Sequence, residues 1–176
     1  AGAMHGGGRI LNECHAAVMA AREQLCDLTP LLTDCGALCG AACCHSDADG
    51  QGGVYLFPGE ETLYAGVPWA KATPCEMEGA DAHILLCNGT CERALRPLGC
   101  RIFPLTPVLR RSGWGVRMDW RAWAMCPLMR YGTKGLNPAF VQAVEVAMRE
   151  IARSEEGADF LRRWQRLESR FRHSAL

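Results

Sequence analysis

The chain carries no excess charge of either sign: 19 Lys and Arg balance 19 Asp and Glu over 176 residues. A balanced chain has no general pull on nucleic acid or on an acidic lipid surface, so neither is expected as a partner. No apolar run approaches the ~20 residues needed to cross a bilayer. Residues 1–8 lack the charged region and apolar stretch of a secretory signal and read as a flexible lead-in outside the fold. The zincin, phosphate-loop and dinucleotide glycine patterns are missing, and no Ser-His-Asp set can be named. Histidine is scarce, being confined to His5, His15, His45, His83 and His173. A metal hydrolase without an evident general base is therefore the least favoured reading, and the sequence leans away from an enzyme. No internal repeat is evident.

What the sequence does have is cysteine, 11 in all. An odd number leaves one thiol over in any fully paired set. A reducing cytoplasm is the expected compartment, where clustered cysteines bind metal or react more often than they form bridges. The apolar fraction of 49% and charged fraction of 22% belong to a globular chain of one domain.

Residues 9–28 read as a helix, with Ile10, Leu11, Cys14, Val18, Ala21 and Leu25 on one face and Thr29-Pro30 as its stop. Cys14 and Cys26 read there as small packing residues. Residues 34–53 have no clean period and turn polar from His45 to Gly50. Val54 to Phe57 and Ala82 to Leu86 suggest short strands. A short helix is expected to begin at Pro58-Gly59-Glu60-Glu61 and end near Gly66, with both glutamates as first-turn acids. Trp114, Trp120 and Trp123 among arginines read as a hairpin near Gly113 to Gly115 followed by a core-facing turn, rather than as a surface for single-stranded nucleic acid. Asn137-Pro138 caps a helix carrying Phe140, Val141, Val144, Ala147, Met148 and Ile151. Ser154 starts another, with Phe160, Leu161, Trp164, Leu167 and Phe171 on one side and a solvated arginine face on the other.

Two cysteine clusters carry the chemistry. Cys35, Cys39, Cys43 and Cys44 fall within ten residues, and Cys87, Cys91 and Cys100 follow downstream. Interspersed glycines let the backbone turn so that several thiols converge. Thiolates select zinc, copper(I) or iron–sulfur clusters over hard cations. Loops as short as these are poor closures for disulfides. Neighbouring Cys43 and Cys44 point apart in extended backbone and so suit different sites. Two closed tetrahedral sites need eight ligands, one more than the seven thiols supply. Cys126 is the best eighth candidate, with Cys75 and His45 in reserve.

The run Cys35-x3-Cys39-x3-Cys43-Cys44, then Tyr55-Leu56-Phe57-Pro58-Gly59-Glu60-Glu61, then Cys91 to Pro104 with Arg96-Pro97-Leu98-Gly99-Cys100-Arg101-Ile102-Phe103-Pro104, resembles the YkgJ-type cysteine-cluster proteins. These are described as zinc- or iron-chelating, or iron–sulfur, proteins of bacteria and archaea. The resemblance covers about residues 31–130. The family spaces its opening cysteines by two residues and then four; here the spacing is three and three over the same span. The resemblance implies metal binding and no particular reaction. Arg96 or Arg101 is read as a donor to thiolate sulfurs or loop carbonyls.

The expectation is thus a single domain over residues 9–176, mainly α with short strands (a small α+β fold), organised around a cysteine-rich metal centre with the terminal helices packed around it. Its ligands are Cys35, Cys39, Cys43, Cys44, Cys87, Cys91, Cys100 and Cys126, holding zinc, iron or an iron–sulfur cluster. The alternative is an iron–sulfur redox or maturation factor acting on a protein partner.

Overall fold

In the computed structural model, which describes residues 7–45 and 53–174, the first element is α1 (Gly7–Gln24). The helix begins two residues inside the expected lead-in; the rest of that lead-in, and the polar stretch after His45, lie outside the described residues. Cys14, Val18, Ala21 and Leu25, at steps of four, three and four, are buried. After two short turns, α2 (Gly36–Cys39) and a 3₁₀ turn at Ala42–Cys44, come β1 (Gly53–Tyr55), a 3₁₀ turn at Glu60–Tyr64, β2 (Ala70–Met77) and β3 (Ala80–Cys87). These strands form one antiparallel sheet in the order β1-β3-β2. Its hairpin turns through Glu78 and Gly79, both at positive φ, between the paired Met77 and Ala80. A short helix α3 (Leu98–Ile102) leads into a second sheet, the hairpin of β4 (Leu105–Arg110) and β5 (Gly113–Met118).

Two helices close the chain. Asn137 Oδ1 accepts from Ala139 N–H at 3.1 Å and starts α4 (Pro138–Ile151). Ser154 Oγ accepts from Gly157 N–H at 3.1 Å and starts α5 (Glu155–Ser174). Only glycine fits at 157, because a side chain there would strike the Ile151 carbonyl. The arginine face of α5 has an exception in Arg163, which is buried, and Phe171 is half exposed rather than packed.

The core forms where α1, α4 and α5 meet the β4–β5 hairpin. Phe57, Phe160 and Trp164 stack at its centre with ring centroids 4.8 to 5.8 Å apart. The Trp164 indole N–H donates to the buried Thr106 hydroxyl at 3.2 Å. A smaller cluster of Leu56, Tyr64 and Leu85 lies on the three-stranded sheet.

This arrangement corrects the expected organisation. The chain is about 51% helical and 20% strand, with two antiparallel sheets, which is an α+β fold. Its centre is apolar side chains, and the terminal helices pack on those rather than around a metal centre. Among the described residues, no three His, Cys, Asp or Glu side chains are placed to hold a metal ion. The physical reason is that α1, α4 and α5 each carry a complete apolar stripe, so burial alone closes the core. No helix among the described residues is long and apolar enough to cross a membrane.

One charged group is sealed inside. Glu60 stands, with Glu61, in the first turn of the 3₁₀ helix at Glu60–Tyr64, and it is fully buried. Its carboxylate accepts from the Arg22 guanidinium, from Leu98 N–H at 2.8 Å and from Phe57 N–H at 2.9 Å. Burial pushes this carboxyl up, and Arg22 with the two N–H groups pulls it back. Arg101 completes the arrangement, donating to the carbonyls of Arg96 (2.9 Å), Arg22 (3.2 Å), Arg93 (3.0 Å) and Ala94 (2.9 Å). Replacing Glu60 by Ala strands a buried guanidinium and two N–H groups. The expected loss in urea denaturation is about 3–5 kcal/mol. Glu61→Ala, at a half-buried position, is expected to change stability by roughly 0.5 kcal/mol or less. Equal effects for the two variants would show that Arg22 finds another partner.

Candidate thiol-lined site

The segment at residues 34–44 folds back on itself. Asp34 Oδ1 accepts from Gly36 N–H at 3.1 Å, and α2 ends at Gly40 and Ala41, both in left-handed backbone. The chain then turns into the 3₁₀ turn at Ala42–Cys44. Neither short helix buries any residue, so apolar packing does not hold this segment. The facing wall is held more firmly. The Arg101 fan and the Tyr64 hydroxyl on the Leu95 carbonyl (2.8 Å) pin residues 93–101. Cys126 is set by its N–H on the Ala122 carbonyl at 2.7 Å.

Between these walls lies a narrow cleft of about 70 Å³, lined by Cys35, Cys39, Cys43, Cys100 and Cys126. Sites for organic ligands usually run to several hundred Å³. This one has room for a few atoms. Leu25, Leu28, Leu38, Phe103 and Leu128 supply apolar wall, and Arg93, Arg96 and Arg101 supply positive charge.

Five of the eight expected ligands therefore line one cleft, drawn from three separate stretches of chain. The other three gather beside Cys100: Cys44, Cys87 and Cys91 are its neighbours, and Arg96 stands near Cys91, Cys44 and Cys100. A side chain at Gly89, where φ is +87°, would come within 2.9 Å of the Cys44 carbonyl, so glycine lets the loop between Cys87 and Cys91 close on that turn. His45 adjoins Cys44. Cys75 sits in mid β2 opposite Ala82 and does not line the cleft, and Cys14 is core. The sequence reading missed Cys26, which lines the cleft from the end of α1. Its position just past the last apolar turn of that helix is the signal that could have marked it.

The thiols are electrostatically unequal. Burial pushes Cys35 and Cys126 up. The chain packed around Cys100, and then Cys44, Cys87 and Cys91, push its thiol up to about 12. Cys43 donates to Cys44, which raises Cys43 and, helped by Arg96 and His45, lowers Cys44 to about 6. Cys44 is thus the thiol held as thiolate near neutral pH. The donor set has the softness that zinc or an iron–sulfur cluster takes, while the side chains do not stand in a closed coordination geometry.

No family model matches this chain, and neither the curated proteins nor the solved structures contain a match.

The paired cysteines give a pH signature. In the reduced protein, alkylation of Cys44 by iodoacetamide should rise through about pH 6. Cys100 should stay slow across the neutral range, its thiol being pushed up to about 12. In Cys43→Ala the donor that favours the charged form is lost, so the midpoint for Cys44 must move to higher pH. Peptide mapping by mass spectrometry reads both rates, and an unmoved midpoint would remove Cys43 as the cause.

Proposed function

We propose that this chain binds zinc or iron, including iron in an iron–sulfur cluster, through clustered cysteine thiolates. The observation that carries the reading is the convergence of Cys35, Cys39, Cys43, Cys100 and Cys126 on one cleft, with Cys44, Cys87 and Cys91 beside Cys100. A cleft of this size suits an ion or small cluster better than an organic substrate. The resemblance to the YkgJ-type cysteine-cluster proteins points to the same class of ligand.

The chain's own residues divide the work. The thiols are the ligands, and Cys44 is already poised as thiolate. Arg96, near Cys91, and Arg93, on the cleft wall, offset negative charge that thiolates accumulate. Arg101 acts through the backbone, holding the loop from which Cys91 and Cys100 project. A bound zinc would supply a stable thiolate centre, and a bound cluster would supply an electron. The apolar core closes without either, so metal loads onto a domain already folded.

A second reading is a redox or maturation role on a protein partner. What favours it is apolar surface at the cleft: Leu38, one of its lining residues, is 68% exposed, and Met125, next to Cys126, is 41% exposed.

Elemental analysis and a visible spectrum of anaerobically purified protein test the proposal. Iron with acid-labile sulfide and a brown colour means a cluster, and stoichiometric zinc without colour means a zinc site. Cys100→Ser and Cys126→Ser should each leave the metal substoichiometric, whereas Cys75→Ser should not. The same cleft variants should change stability of the metal-free protein by no more than about 1 kcal/mol, since neither thiol belongs to the fully buried core. Metal content unchanged in both cleft variants, or wild-type protein that takes up no metal, would overturn the reading.

A further inference from the structure

A second cleft, of about 370 Å³, opens elsewhere on the molecule. Four segments bring polar side chains to it: His15 from α1, Glu61 from the turn after β1, His83 from β3 and Glu156 from the first turn of α5. Leu56, Phe57 and Phe160 form apolar wall. Gly59, at φ +89°, is part of the construction, because any side chain there would strike the His15 ring.

We propose that this cleft binds a primary alkylammonium group, with the charged head between Glu156 and Glu61 and the methylene stem along Leu56 and Phe160.

The argument begins from an unsatisfied acceptor. Glu156 Oε2 is shielded from solvent and has no hydrogen-bond partner. A buried carboxylate oxygen without a donor is costly, and such groups are rare. Glu61 stands close enough to oppose its ionisation, and burial opposes it further. Arg163, on the cleft wall, offsets Glu156 without hydrogen-bonding it. His83 Nδ1 is 4.0 Å from Glu61 Oε2, too far for a hydrogen bond. Arg163 has its Nε on Asp159 at 2.9 Å and its guanidinium over the Phe160 ring at 5.7 Å. With Asp81 also on the wall, the cleft holds three carboxylates and one arginine already engaged. It lacks a cation with hydrogen-bond donors.

The shape of the site chooses among cations. A chelated metal ion needs several ligands on one point, and among the described residues no three such side chains are so placed. An ammonium carries three N–H donors that reach separate acceptors. A ring nitrogen of His15 or His83 can accept the third. The apolar wall matches the methylenes of an alkyl chain, as where a lysine stem lies along apolar surface. Two sources present this chemistry, a free amine and the lysine side chain of a partner.

Titration of the whole chain with 1,5-diaminopentane, with Nα-acetyl-lysine amide and with 1-pentanol tests the idea, read by NMR shifts of the His15 and His83 rings. Both rings should shift with an amine at about millimolar affinity and remain still with the alcohol. Glu156→Gln should weaken amine binding about tenfold or more, while Glu155→Gln, at an exposed position, should not. Binding of the lysine amide points to a partner's side chain, and binding of the diamine alone points to a free amine. Equal shifts with amine and alcohol, amine binding untouched in Glu156→Gln, or ring shifts produced by zinc alone would each overturn the proposal. Cys100→Ser should leave amine binding intact, which keeps this result separate from the fate of the thiol site.

Discussion

The carboxylate of Glu60 is the point on which the rest of the structure depends. It joins three stretches of chain that share no secondary structure: α1 through Arg22, the segment after β1 through Phe57 N–H, and α3 through Leu98 N–H. A buried charge is tolerable only when its lone pairs are taken, and here each oxygen accepts from the backbone, with Arg22 as counter-charge. Arg101 continues the network by collecting four backbone carbonyls, one on α1 and three at residues 93–96. The outcome is a segment at residues 93–101, a 3₁₀ turn at Arg93–Leu95 followed by α3, with little freedom. Cys100 lies in α3 and Cys91 just before the segment, so the positions of two thiols trace back to one glutamate.

The two walls of the thiol cleft are consequently of different kinds. One is tied to the buried core through Arg22, Glu60 and Arg101. The other, residues 34–44, buries no side chain in either of its short helices and relies on left-handed turns at Gly40 and Ala41. Segments with few buried contacts open at low free energy. On the metal-binding proposal, a cleft with one fixed and one yielding wall would admit an ion and close its thiols upon it, which a fully packed interior could not do.

Legibility in the sequence followed burial. The stripe Phe140, Val144, Ala147, Met148 and Ile151, capped by Asn137-Pro138, identified α4 because one amphipathic helix packs one face inward. Ser154 marked α5 for the same reason, while Phe171 was misjudged because the stripe outruns the surface available to cover it. The strand β2 was invisible: Pro74 interrupts it, and Ala70 to Met77 shows no clean alternation. An edge strand tolerates both, since one side of its backbone has no pairing to satisfy. Glu60 is the first-turn acid that its place after Pro58 and Gly59 suggests, but its burial is not legible, because nothing local records an arginine 38 residues upstream. The cysteines were legible as a group through density alone. Cys14 is marked as core by its place on the α1 stripe, whereas the assignment of Cys75 to the sheet and Cys26 to the cleft is not legible, because these two differ only in what the fold places next to them.

Adjacent residues on a single short turn serve two clefts of opposite chemistry. Glu60 points inward and fixes the loop that carries thiols, and Glu61 lines the carboxylate cleft opposite His83. A 3₁₀ turn makes this division natural, since successive side chains leave it about a third of a turn apart. Glycine at 59 is required on both counts: it lets the chain enter the turn at positive φ, and it leaves room for His15. Phe57, whose N–H binds Glu60, also forms wall of the second cleft and centres the aromatic core. Residues 57–61 therefore tie the core, the thiol-bearing loop and the carboxylate cleft into one rigid piece. A change to that turn must disturb all three together, whereas a change to any single cysteine or to Glu156 stays local. That asymmetry is why cleft variants are the informative probes of function and Glu60 is the informative probe of fold.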